Sequence, residues 1–133
     1  MTFAEIEALF TKSDNWEQRY RQLILLGKQL PKPDTQILEQ IPLVEGCESR
    51  LWFKIDYQQQ QWHIIAYSDA RILNGILFIL ITALSEQTTE QLAHFQITPL
   101  LQQLKIDQRL SETRLNGLKN IEKIISKTVT ELL

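Results

Sequence analysis

The stretch from Ile72 to Leu84 constrains the fold more than any other part of this chain: 13 residues, strongly apolar and interrupted at Asn74. A membrane-spanning helix needs about 20 apolar residues, so this run is too short to cross a bilayer. It reads as a helix from about Arg71 to Ser85, apolar nearly all round and therefore central in the core. Ser68 or Asp69 is placed to cap it. Gly75 falls inside it, where glycine costs about 1 kcal/mol relative to alanine. Either a neighbour packs closely there or a small residue is simply tolerated.

The segments on either side must supply the rest of that core. Upstream, Phe3, Ile6, Leu9 and Phe10 recur at helical spacing. Ser13 or Asp14 can cap a second helix, with Glu17 as a capping-box partner. The apolar face of that helix is Trp16, Tyr20, Leu23, Ile24 and Leu26, and Gly27, Pro31 and Pro33 end it. A short helical turn fits Thr35 to Gln40. Leu51, Phe53, Ile55 and Tyr57 then alternate with Trp52, Lys54 and Asp56, a strand pattern. Trp62 to Tyr67 is a second strand. The glutamines between them form a hairpin loop without the Asn-Gly signal of a tight turn, and Ile41 to Val44 can add a third short strand. Downstream, Thr88 or Thr89 starts a short helix. Thr98-Pro99 supplies a cap and a proline at the first helical position. Ser111 caps a last helix with the stripe Leu115, Leu118, Ile121 or Glu122, Ile125 and Val129. Two or three strands in the middle and helices at both ends give an α+β fold: a small antiparallel sheet packed against N- and C-terminal helices.

Composition narrows the function classes. The chain has 133 residues, 44% hydrophobic and 23% charged, with net charge −2. That length fits a single domain over residues 1–133. A slightly acidic chain has no basic field for nucleic acid. Met1 to Glu5 lacks a basic region leading into an apolar stretch, so no signal peptide is expected. One cysteine excludes an internal disulfide framework and fits a reducing, cytoplasmic setting. His63 and His94 have no metal spacing with each other or with Cys47, so no metal site is expected.

The candidate chemistry centres on Cys47, in Val44-Glu45-Gly46-Cys47-Glu48-Ser49-Arg50-Leu51-Trp52. A lone cysteine is usually a small buried hydrophobe. Here Gly46 permits a positive φ beside the sulfur, and the flanks are polar. Arg50 is near enough in sequence to meet a thiolate, but the acidic Glu45 and Glu48 flank the same sulfur, so the local charge gives no direction for its ionisation. Asp69 is either a plain helix cap or a charged contact near the thiol loop. Arg114 falls in the first turn of the last helix, where the helix dipole disfavours a cation. It is either solvated or held by an anion, whether carboxylate or thiolate.

These pieces together resemble the SufE/CsdE sulfur-acceptor family. The likeness rests on Trp16-Glu17-Gln18-Arg19-Tyr20, Leu23-Ile24, Leu26-Gly27-Lys28, Leu30-Pro31, the Val44 to Trp52 segment, Ser68-Asp69-Ala70 with Ile72 and Gly75-Ile76-Leu77, and Leu110-Ser111 with Arg114 and Asn116-Gly117-Leu118. The resemblance implies a small sheet with packed helices, related to the iron–sulfur scaffold fold. It implies that Cys47 receives sulfane sulfur from a cysteine desulfurase and holds it as a persulfide. Gly46 would shape the loop. Arg50, Asp69 and Arg114 would contact the partner or orient the loop, and Asn116 and Gly117 would belong to the same motif. Such a protein is a carrier and activator, not a free-standing enzyme. It would hold no cofactor of its own, the pyridoxal phosphate belonging to the desulfurase.

Expected partners are therefore a cysteine desulfurase and a downstream sulfur acceptor or iron–sulfur scaffold, with no nucleic acid or membrane, and the chain acting as a monomer. Two other readings compete: an interaction module with an inert Cys47, and an iron–sulfur or zinc scaffold, which needs more ligands than one cysteine offers.

Overall fold

The computed structural model describes all 133 residues. In chain order it has α1 (Phe3–Thr11), α2 (Trp16–Gly27), α3 (Thr35–Glu39), β1 (Leu51–Gln58), β2 (Gln61–Ser68), α4 (Arg71–Ser85), α5 (Thr89–Ala93), α6 (Ile97–Gln103) and α7 (Glu112–Leu132). A 3-10 turn at Asp107–Arg109 precedes α7. The architecture is α+β with a two-stranded antiparallel sheet, as the sequence pattern predicts. No helix is long and apolar enough to cross a membrane.

Helix α4 is the centre of the core. Ten of its 15 residues are buried, seven of them leucine or isoleucine. Each such side chain contributes roughly 1.5–3 kcal/mol on burial, so α4 is the main apolar anchor of the domain. Helix α2 packs against it, and the two backbones touch at Gly75. A Cβ built there would lie 2.1 Å from the Leu23 carbonyl oxygen, so the close-packing reading of this glycine holds. Only Leu23 and Leu26 of α2 are buried. Tyr20 is 41% exposed. It stays at the rim beside Trp16, with ring centroids 6.1 Å apart, where aromatic faces pack and polar edges meet water.

Strands β1 and β2 pair from Leu51 opposite Ser68 to Gln58 opposite Gln61. Leu51, Phe53 and Ile55 point into the core, while Tyr57 is 42% exposed. Strand β1 lies against α7 and β2 against α4. The hairpin turns on Gln59 and Gln60, both at positive φ (54° and 64°), the condition a two-residue type I′ turn imposes. The third strand expected over Ile41 to Val44 reduces to one bridge, Leu43 opposite Trp52.

Several helix starts differ from the sequence reading. Asn15, not Ser13 or Asp14, caps α2 through the Gln18 amide; Ser13 is buried and donates to the Leu9 carbonyl. Gly27 closes α2 from inside, with Lys28 as the C-cap. Helix α6 begins at Ile97, so Thr98 is not its cap. The Ile97 amide donates instead to the Glu122 carboxylate of α7, at 2.7 Å. A charge from another helix thus stands in for a local cap. Ser111 does cap α7, accepting from the Arg114 amide.

Candidate functional site

The segment joining α3 to β1 carries Cys47. Its entry is pinned by the buried side chains of Ile41 and Val44, and the Val44 amide donates to the Leu51 carbonyl at 2.7 Å. The chain then reverses at Gly46, whose φ is +86°. An L-residue rarely adopts that conformation. The exit is pinned at Arg50. The Ser68 hydroxyl donates to the Arg50 carbonyl at 2.6 Å. Ser68 is in turn gripped by buried Asn74, which accepts from the Ser68 amide at 2.8 Å and donates to its carbonyl at 2.9 Å. The polar interruption in the apolar run is therefore a bracket between α4 and the end of β2. Satisfied buried polar networks of this kind hold a backbone in one geometry.

The other wall of the site is the N-terminal half of α7. A Cβ built on Gly117 would sit 2.7 Å from the Cys47 Cβ, 3.2 Å from its Sγ and 3.3 Å from Leu51 Cδ2. The thiol side chain therefore rests on the bare backbone of a helix glycine, partly buried and packed against the core. Ties to α7 flank this seat. Before it, the Asn120 amide donates to the Glu45 carbonyl at 2.6 Å. After it, the Glu48 carboxylate accepts from the Ser111 hydroxyl at 3.1 Å and faces Arg114 Nε at 3.7 Å. Nε is buried and has no hydrogen-bond partner, so Arg114 meets Glu48 as a loose ion pair. Its side chain is 29% exposed and that of Glu48 54%.

Gly46, Cys47, Arg114, Asn116 and Gly117 thus meet where the loop touches α7. Asn116 is exposed, with its Cβ 3.7 Å from where a Gly46 Cβ would lie. Arg50 and Asp69 form a second group. Arg50 Nε donates to Asp69 at 3.0 Å, and its guanidinium lies 5.4 Å from the Trp52 ring centroid. Asp69 is accordingly no helix cap; Ala70 holds that position without a side-chain bond. Arg50 is paired with a carboxylate, not with the thiol. Beside this pair a cleft is lined by Lys32, Leu38, Trp52 and Tyr67. No group of three or more His, Cys, Asp or Glu side chains converges anywhere.

Glu48 and Asn120 belong to the site although the sequence reading gives neither that place. For Asn120 the signal is helical spacing. It lies three residues after Gly117 and four after Asn116, on the same face.

The site is a partly buried thiol on a glycine turn, seated on a helix of an α+β domain. The chain belongs to the SufE family: residues 4–129 match the family described as a Fe-S metabolism associated domain. It is 42% identical over 111 residues to an uncharacterized SufE-like protein of Haemophilus influenzae, covering 83% of this chain and 88% of that protein. It is 33% identical over 130 residues to the sulfur acceptor protein CsdE of Escherichia coli, covering 96% of this chain and 88% of the relative. The fold is shared with the solution structure of a hypothetical protein from Thermus thermophilus. That match has TM-score 0.76 and 15% identity, and spans 98% of this chain and 97% of the other.

Proposed function

We propose that this protein is the sulfur acceptor of a cysteine desulfurase and carries the sulfur as a persulfide on Cys47. The observation that carries the reading is the seat of the single thiol on Gly117, in a chain related along nearly its whole length to a sulfur acceptor protein. The Cys47 thiolate attacks the outer sulfur of the donor's cysteine persulfide. A new S–S bond forms on Cys47, the donor's S–S bond breaks, and the donor cysteine leaves as a thiolate. The exchange is thiol–disulfide chemistry without net oxidation. A second nearby cysteine would resolve the persulfide into a disulfide, and this chain has none.

The partner generates the sulfane sulfur, with pyridoxal phosphate on its own chain. The second group fits partner contact: Arg50 and Asp69 are exposed beside a cleft with apolar and charged walls. The sulfur then passes to a downstream acceptor, with iron–sulfur cluster assembly as the proposed destination.

Intact-protein mass spectrometry tests the reading. The protein is mixed with a cysteine desulfurase and free cysteine. We expect wild type to gain one sulfur atom that reductant removes, and Cys47→Ser to gain none. Full desulfurase stimulation by Cys47→Ser would overturn the carrier role and leave a plain interaction module.

A further inference from the structure

We infer that Asn120 is a positioning residue for sulfur transfer, setting how much of the time the Cys47 thiol leaves its seat on Gly117. The inference rests on the sulfur-acceptor reading. Asn120 lies against both residues that precede the thiol. Its side-chain amide donates to the Glu45 carbonyl at 2.6 Å. The same Nδ2 lies 2.9 Å from where a Gly46 Cβ would be, so it fills the hollow that the missing side chain leaves. The positive φ at Gly46 aims the Glu45 carbonyl and the Cys47 side chain toward one helix face. Clasping the first therefore seats the second.

The seat and the reaction make opposite demands. In the seated state the Cys47 Cβ and Sγ rest on Gly117 of α7, and the side chain is only partly exposed. Attack on a donor persulfide needs the sulfur in line with the S–S bond that breaks, with the donor chain occupying the space on that side. The loop must then lift from α7. On the far side of the thiol the ties to α7 run through Glu48: its hydrogen bond from Ser111 and its loose 3.7 Å pair with Arg114, the Glu48 and Arg114 side chains being 54% and 29% exposed, a pair that salt screens in part. On the near side the tie is the short amide clasp of Asn120. Breaking that clasp frees the loop while Val44 and the Ser68–Arg50 bond keep its two ends in place. Asn120 touches no reacting atom and acts only through the loop.

The test measures iodoacetamide alkylation of Cys47 in the free, folded protein for wild type and Asn120→Ala. We expect alkylation about fivefold faster in the variant, the factor corresponding to one net hydrogen bond. In the desulfurase assay, half-maximal stimulation should move to lower acceptor concentration, with stimulation at saturation retained. A purely structural Asn120 would lower the melting temperature and leave both readouts unmoved. If Asn120→Ala melts below the assay temperature, Asn120→Asp keeps the shape without the donor and is compared in the same way. Alkylation at the wild-type rate in a folded variant overturns the inference. The alkylation arm contains no desulfurase. Failure of wild type to gain sulfur in the mass measurement would therefore sink the carrier reading separately.

Discussion

Two helix-interior glycines in this molecule create seams of opposite character. At Gly75, α4 meets the backbone of α2; a methyl group would lie 2.1 Å from the Leu23 carbonyl oxygen and 2.9 Å from its Cα. At Gly117, α7 meets a side chain on a loop; a methyl group would lie 2.7 Å from the Cys47 Cβ. In the first seam both partners are helices locked by a buried core, so nothing can yield. In the second, one partner is a loop tied by a few polar contacts, so the loop can yield as a unit. The same residue type fastens two helices permanently in one place and makes a seat that can be vacated in the other.

The comparison breaks most severely at the rigid seam. Gly75→Ala gains helix propensity of about 1 kcal/mol but forces two helices apart. We expect a net loss of about 2 kcal/mol or more, read as a fall of roughly 6–10 °C in melting temperature. A variant as stable as wild type would mean that the seam is not rigid. Asn74→Ala should cost about 2 kcal/mol, because it strands the buried amide and carbonyl of Ser68 without partners. It should also loosen the Arg50 end of the thiol loop, seen as faster amide hydrogen exchange at Asp69, whose amide donates to the Arg50 carbonyl. Loss of stability without that exchange change would confine the bracket to the core.

What could be read from the sequence follows the same division. Length and apolarity place α4 at Arg71–Ser85 because a helix buried over most of its surface announces itself locally. The turn at Gly46 was legible for the same reason: the glycine reports the backbone's need directly. The partner of Gly117 was not, since nothing local says which loop will lie on a helix glycine. Two caps failed where a distant group decided the outcome. Glu122 of α7 serves the start of α6 in place of Thr98, and Arg50 draws Asp69 away from α4. The hairpin turn is a third kind of case. Gln59 and Gln60 take positive φ without any residue that favours it, because strand pairing from Leu51 to Gln58 dictates the turn.

At the yielding seam the expected effects are smaller and of a different kind. Gly117→Ala should leave stability within about 1 kcal/mol of wild type, as helix propensity offsets lost packing. The new methyl would overlap the Cys47 Cβ and displace the thiol outward. Alkylation of Cys47 should then run severalfold faster than in wild type. A stability loss as large as that of Gly75→Ala, with alkylation unchanged, would show that the loop is as fixed as α2 and erase the distinction between the two seams.

The smallest effect sharpens the comparison most finely. Glu48→Gln keeps the acceptor oxygen for Ser111 but removes the charge facing Arg114. A half-exposed ion pair contributes about 0.5 kcal/mol or less, and salt screens it. We therefore expect a melting temperature slightly below wild type at low salt and equal to it at high salt. The Arg114 cation, in the first turn of α7 where the helix dipole opposes it, would lose its carboxylate neighbour. Alkylation of Cys47 should rise less than in Asn120→Ala, because the neutral hydrogen bond to Ser111 remains. A larger rise than in Asn120→Ala would transfer control of the loop from the amide clasp before the thiol to the charged tie after it.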